Sequence, residues 1–219
     1  MSMPRVIKLF CTKREQQRII KNWALPEKVC IEYPGFLVLH LDPELSDQIA
    51  QLYPYEDLTE QFRITVDGQD LHQASSRIVY DDNQMSEESQ ALIDALEDGA
   101  HHYLVQFKGP IKKQWLASLE NKDIQLIEPY QQFSYIVRSE VAKLEFLYHH
   151  PMVYWLGHLP HRTRDKVNLG REIGDSNVIA GKTLVVEFFS LEVASKGYSN
   201  IEKYAATLTG KNASKVRLF

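Results

Sequence analysis

The eight histidines are the side chains best suited to acid–base or metal chemistry near neutral pH. Most of them occur in neighbouring positions: His101-His102, His149-His150, and His158 with His161. A metal site would also need carboxylate or thiol ligands at matching positions, and the sequence shows none there. The pattern therefore favours histidines in turns and helix caps, and it predicts neither a metal nor another cofactor.

Motifs that activate a nucleophile or hold a phosphate group are absent from the sequence. It contains no glycine-rich phosphate loop, no Gly-x-Ser-x-Gly elbow and no His-Glu-x-x-His helix. Only two cysteines occur, and the expected strand order separates Cys11 from Cys30 by two strand intervals, about 9–10 Å. That spacing exceeds the reach of a disulfide. We therefore expect a protein that is not an enzyme and whose cysteines are packing residues.

Composition limits the classes of partner. The 219 residues are 44% hydrophobic and 25% charged, with a net charge of -4. Such a chain can bury a core but has no excess positive charge for nucleic-acid phosphates or anionic lipid. The sequence also shows neither a signal peptide nor a membrane-spanning stretch. These features predict a soluble protein that binds neither nucleic acid nor membrane.

The elements that must position any site follow a repeated order. In the first 68 residues, periodicity and turn residues predict strand 5–10, helix 13–24, strands 29–33 and 36–41, helix 44–52 and a closing strand 62–66. Thr12 and Asp42 are the expected helix N-caps. The order β-α-β-β-α-β returns in residues 103–160, with strand 103–108, helix 111–121, strands 124–127 and 133–138, helix 139–148 and strand 152–156.

This plan predicts an α+β fold of tandem ferredoxin-like modules with antiparallel sheets. A third module, 182–219, shows only a strand, a helix and a strand, which suggests an atypical terminal repeat or a longer protein. Residues 69–102 form an acidic connector with one helix expected over 86–96, and residues 161–181 form a linker.

The predicted plan places the first and third strands of each module at the centre, with both helices on one face of the sheet. In the second module, alternation directs five residues toward the helices: Val105, Phe107, Phe133, Tyr135 and Val137. Five others point away and are the candidate partner-binding residues: Leu104, Gln106, Ser134, Ile136 and Arg138. In the first module, strand 36–41 is apolar on both sides, so we expect another module, a linker or a partner to cover it.

Four sequence stretches carry a family resemblance. They are Tyr103-Leu104-Val105-Gln106-Phe107-Lys108-Gly109-Pro110, then Trp115, then Tyr135-Ile136-Val137-Arg138, then Pro151-Met152-Val153-Tyr154-Trp155-Leu156-Gly157. Together they resemble the N-terminal, non-catalytic, propeptide-like region of large subtilisin-like serine peptidases. The similarity extends over roughly residues 76 to 219, with a short strand expected at 77–81. The turn at 131–134 departs from the pattern, and no Asp, His and Ser motifs of a catalytic triad are present.

The resemblance implies a regulatory region that docks on, or assists the folding of, a subtilisin-like peptidase domain in cis or in trans. The alternative is a protein-interaction or ligand-sensing protein that stands alone and whose paired ferredoxin-like modules bind small ligands between them.

Overall fold

A computed structural model describes residues 4–66, 69–70, 77–81, 83–96, 99–131 and 133–158. The chain divides into two compact units, residues 1–160 and 161–219. The linker predicted at 161–181 and the partial module predicted at 182–219 lie outside the described residues.

The first module is a four-stranded antiparallel sheet with two helices. Its elements are β1 (Arg5–Phe10), α1 (Lys13–Asn22), β2 (Cys30–Tyr33), β3 (Phe36–Leu41), α2 (Pro43–Ala50) and β4 (Tyr55–Asp57), with short 3₁₀ turns at Glu27–Val29 and Thr59–Phe62. The strand order is β2-β3-β1-β4, so the first and third strands are central as predicted. Both predicted N-caps are confirmed: Thr12 forms a capping box with Glu15, and Asp42 accepts a hydrogen bond from the backbone N–H of Leu45.

The described residues of the connector, with the two-residue strand just before it, form two small strand pairs and one helix. These elements are β5 (Thr65–Val66) paired with β6 (Gln69–Asp70), β7 (Tyr80–Asp81) paired with β8 (Gln84–Met85), and α3 (Glu87–Asp94). Ser86 caps α3, close to the predicted start of this helix.

The second module repeats the plan of the first. Its elements are β9 (Ala100–Phe107), α4 (Lys113–Glu120), β10 (Gln125–Tyr130), β11 (Ser134–Glu140), a 3₁₀ turn at Val141–Lys143, α5 (Leu144–His149) and β12 (Val153–His158). The order β10-β11-β9-β12 matches that of the first sheet, and all pairings are antiparallel. The prediction of an α+β fold with ferredoxin-like modules is therefore confirmed for these two modules.

One predicted strand was wrong. The closing strand of the first module is Tyr55–Asp57, whereas 62–66 was expected. This three-residue strand is held to β1 by backbone pairing and by ion pairs, Lys8 to Glu56 at 3.0 Å and Arg5 to Asp57 at 2.8 Å. Because it has no apolar alternation, hydrophobic periodicity could not identify it.

A buried glutamine on α1 forms hydrogen bonds to the hairpin that β2 and β3 make. The side-chain amide of Gln16 is fully buried and donates to the backbone oxygens of Tyr33 at 2.8 Å and Phe36 at 3.1 Å. The turn between these strands, Pro34-Gly35, gives Gly35 a φ of 85°, which favours glycine.

We predict that Gln16→Leu lowers the free energy of unfolding by about 2–3 kcal/mol, because it leaves buried carbonyls without their donor. Urea denaturation followed by circular dichroism measures the loss. Gln17→Leu, at the exposed neighbouring position, is the matched control and should change stability by less than about 0.5 kcal/mol. Equal stability of the two variants would contradict the role assigned to Gln16.

Candidate protein-interaction surface

The five candidate partner-binding residues lie on one face of the second sheet. β9 and β11 pair with Leu104 opposite Ile136 and Gln106 opposite Ser134. Arg138 lies opposite His102 at the end of the same row. The opposite face carries Val105 and Val137, which belong to the core beneath the helices. The structure therefore brings the predicted set together on one side of the sheet.

Most of this face is not accessible to solvent. Leu104, Gln106 and Ser134 are 0% exposed and Ile136 is 2% exposed, whereas Arg138 is half-buried. The apolar character that suggested a docking surface thus reflects burial within the chain. The assignment of these residues to a partner stays a prediction, and it now requires the face to be uncovered first.

A tryptophan that sequence reasoning did not include lies on the same face. In the pairing of β12 with β9, Trp155 is opposite Gln106 and Gly157 is opposite Leu104. The indole is 4% exposed and folds over Gly157, so closely that a Cβ on Gly157 would lie 2.1 Å from the ring. A bulge between Val153 and Trp155 shifts the register of β12 here, so strand alternation alone could not have placed Trp155 on this face.

The first module also covers part of this face. Gln106 donates from its side-chain amide to the backbone oxygen of Phe62 at 2.9 Å. The Phe62 ring lies 5.0 Å from Phe133 and 5.4 Å from Tyr154, centroid to centroid. Phe133, which was expected to face the helices, precedes β11 with a φ of 60°, so strand alternation does not apply to it.

The outward face of the first sheet packs on the second module, and we call this contact the junction. Val6, Ile31 and Val38 of the first sheet share one buried core with Val105 and Trp115 of the second module. The prediction that something covers β3 on its outward side is confirmed. The cover is the second module.

Three polar contacts with the first sheet accompany this apolar packing. They join the Tyr33 hydroxyl to the Pro110 carbonyl at 2.8 Å, the Lys112 ammonium to the Glu32 carbonyl at 2.7 Å, and His40 Nε2 to the Lys108 carbonyl at 2.6 Å. Each one satisfies a backbone oxygen at the edge of a module. The junction is therefore specified by polar geometry as well as by apolar burial.

An aromatic group reinforces the junction beside Lys112. The Lys112 ammonium lies 4.5 Å from the Tyr33 ring centroid and 5.4 Å from that of Trp115. These distances allow cation–π attraction. Gly109 approaches the same tyrosine so closely that an added Cβ would lie 2.8 Å from the Tyr33 hydroxyl oxygen. A side chain at position 109 would therefore displace the Tyr33 hydroxyl from its present position.

Burial controls the ionisation of the groups at the junction. It raises the pKa of the Tyr33 hydroxyl far above its ordinary value, and it lowers the pKa of the Lys108 ammonium. The pKa of His40 falls to about 4, chiefly through burial, although its bond to the Lys108 carbonyl opposes the shift. At neutral pH the Tyr33 hydroxyl and the His40 ring are therefore uncharged.

The connector packs against the second module. The Ile78 backbone N–H donates to the Leu156 carbonyl at 2.9 Å, and Arg77 bridges to Gly157. Ile78 and Ile93 lie in the same core as the second module. Residues 77–78 thus extend the sheet of the second module beyond β12. This segment of the connector is therefore packed as part of the second module.

The described histidines and cysteines form no metal cluster within the described part of the chain. His101 on β9 and His158 on the neighbouring strand β12 lie 6.2 Å apart, ring centroid to centroid. Cys11 and Cys30 are both free, and burial raises the thiol pKa of Cys30 to about 12. A thiol with that pKa is a poor nucleophile near neutral pH.

Comparison with known proteins identifies one similarity. Residues 63–160, less than half of the chain, match the family model of a domain of unknown function, DUF8729. No curated protein and no solved structure matches the chain. The matched residues comprise the connector and the second module, which the structure joins in one core. Among the described helices, none has both the length and the apolar character needed to span a bilayer.

Sequence reasoning missed the residues that form the junction. His40 is the one charged or strongly polar side chain in the strand Phe36-Leu37-Val38-Leu39-His40-Leu41. A lone polar residue in an apolar strand needs a partner when buried, so this position was the available signal. Its partner, Lys108, is 68 residues away and could not be inferred from local pattern.

Proposed function

We propose that this chain is a non-catalytic, propeptide-like region that docks on, or assists the folding of, a subtilisin-like serine peptidase domain, in cis or in trans. The observation that carries the proposal is the order in which the resemblance motifs fall on one module: on β9 with the following turn, on α4, on β11 and on β12. These motifs lie within residues 63–160, the part of the chain that matches one family model.

The motif residues described next stabilise the fold of the module, and they offer little surface for binding a partner. Val105, Phe107 and Trp115 pack in the core, and Gly109 permits the close approach of Tyr33. Contacts to a partner must come from residues that reach solvent. Within the predicted set that residue is Arg138, beside the exposed edge strand β10.

A refolding assay tests this proposal. A subtilisin-type catalytic domain without its own propeptide is unfolded in guanidinium and diluted into buffer with or without the full 219-residue chain. We expect the recovered peptidase activity to rise several-fold with the chain present, and a complex to appear on size-exclusion chromatography. Absence of both the gain and the complex would reject the proposed partner.

The variant Arg138→Glu tests whether this particular residue takes part in docking. Reversing a charge at the rim of a contact slows association, so we expect a gain in refolding yield a few-fold smaller than that of the wild type. Lys113→Glu is the matched control, since it reverses an exposed charge on α4, on the opposite side of the sheet. If both variants act like the wild type, docking does not use this face.

A second candidate function is a protein-interaction or ligand-sensing protein with paired modules. The specific observation in its favour is the junction, which joins the two modules through one core and several hydrogen bonds. A thermal-shift screen with small metabolites, combined with equilibrium sedimentation, distinguishes the two functions. Stabilisation by a metabolite without any peptidase would favour this second function.

A further inference from the structure

The His40 side chain crosses the junction from the first module to the second. It is 8% exposed, and its Nε2 lies 2.6 Å from the backbone oxygen of Lys108. Because a carbonyl oxygen only accepts, Nε2 must carry the proton. The unprotonated nitrogen is therefore Nδ1, which is buried and has no hydrogen-bond partner among the described residues.

The surroundings of His40 suit a neutral ring. Phe62 meets it edge-on at 5.1 Å and Tyr154 lies 5.2 Å away, centroid to centroid. Two titratable side chains lie beside it, Lys108, which follows β9, and Tyr154, on β12. Lys8 lies on the same face of β1, two residues from Val6, and is ion-paired with Glu56 at 3.0 Å. Lys108 is itself cationic, and Val6, opposite on β1, is apolar. A second proton on the ring would therefore gain no acceptor and would meet a like charge.

The other hydrogen bonds of the junction do not change in mild acid. Those of Tyr33, Lys112 and Gln106 use a hydroxyl, an ammonium and an amide, which keep their donor protons as the pH falls. His40 is the side chain of this set whose charge changes there. The acid response of the junction is therefore concentrated in a single residue.

We propose that the junction is an acid-labile latch, in which protonation of His40 releases the first module from the second and uncovers Phe133 and Tyr154. The latch would operate within the chain itself, whatever partner the chain binds. Release would remove Phe62 from both rings and from Gln106, so that part of the candidate partner-binding face opens in the same step.

The sign of the pH dependence follows from the pKa of His40, which is lowered from 6.5 to about 4 in the closed junction. The closed junction favours the neutral ring. His40 therefore stabilises the closed junction fully above pH 6.5, and this stabilisation decreases as the pH falls below that value. It is lost once the pH is below about 4. One proton is taken up, so the opening constant rises by at most about tenfold per pH unit, or about 300-fold in total.

The test compares the full chain at pH 7.5 and pH 4.5 by small-angle X-ray scattering and by amide hydrogen exchange. In the wild type we expect a larger maximum dimension at pH 4.5 and faster exchange in peptides from residues 36–41 and 106–112, while far-UV circular dichroism is retained. His40→Gln is the matched variant, because its amide can still donate to the Lys108 carbonyl but does not titrate. It should remain closed at pH 4.5.

Opening of His40→Gln at the same pH as the wild type would overturn the latch, as would a wild type that stays closed until the whole chain unfolds. If His40→Gln fails to fold at pH 7.5, an NMR titration of the His40 ring in the wild type decides the question. A ring pKa at or above 6 would then refute the proposal, and a value below 5 with Nε2 protonated would support it.

Discussion

Replacing Trp115 with alanine is expected to lower the free energy of unfolding by about 3–5 kcal/mol, the usual cost of removing a buried indole. Trp115 is 5% exposed and stacks on Phe107 at a centroid distance of 5.8 Å. It also meets the Tyr33 ring edge-on at 6.4 Å. The substitution therefore creates a cavity in the second module and weakens the junction at the same time.

Urea denaturation at pH 7.5, read by circular dichroism, measures this loss. Gln114→Ala, at the exposed preceding position on α4, is the control and should cost less than about 0.5 kcal/mol. Trp115→Phe should recover part of the loss, because a smaller ring still fills some of the cavity. A cost below about 1 kcal/mol for Trp115→Ala would mean that this side chain does not join the two modules.

Gly157→Ala is expected to cost about 2–3 kcal/mol through overpacking. The added Cβ would lie 2.1 Å from one ring atom of Trp155 and under 3 Å from two more. Because the indole is 4% exposed, it cannot simply swing into solvent. An aromatic ring that covers a strand glycine is a recognised way to stabilise that glycine, and a methyl group prevents it.

A double-mutant cycle isolates the contact between Gly157 and Trp155. Thermal unfolding is measured for the wild type, Gly157→Ala, Trp155→Leu and the double variant. In the Trp155→Leu background, Gly157→Ala should cost less than about 1 kcal/mol, since the ring that would clash is absent. An equal cost in both backgrounds would assign the effect of the alanine to the backbone.

The parts of the fold that the sequence predicted are those governed by local rules. The helix beginning after Thr12 has a side-chain cap and an apolar stripe within one stretch of chain, and both were visible in the sequence. The central position of β1 and β3 followed from the handedness of the crossover connections. β4 was missed because ion pairs hold it, with Lys8 and Arg5 supplying partners about fifty residues away.

The candidate site was predictable only in part. Alternation correctly grouped Leu104 with Ile136, because it depends on the two-residue period of a strand. Alternation could not show that Trp155 and Phe62 would lie over the same face. The position of Trp155 depends on a bulge in β12, and that of Phe62 depends on the packing of the first module against the second. The two-residue period of a strand shows the face of the sheet to which a side chain points. The groups that cover that face are determined by tertiary packing.

The single core shared by both modules limits where the polypeptide can be dissected. A fragment that starts at residue 63, where the family match begins, would lose the sheet that packs on Trp115 and would leave Phe133 and Tyr154 bare. A fragment of the first module alone would present Val6 and Val38 to water. Both fragments should therefore self-associate when produced separately. Mixing them should restore a monodisperse heterodimer, which makes the two halves a ready-made pair for split-protein complementation.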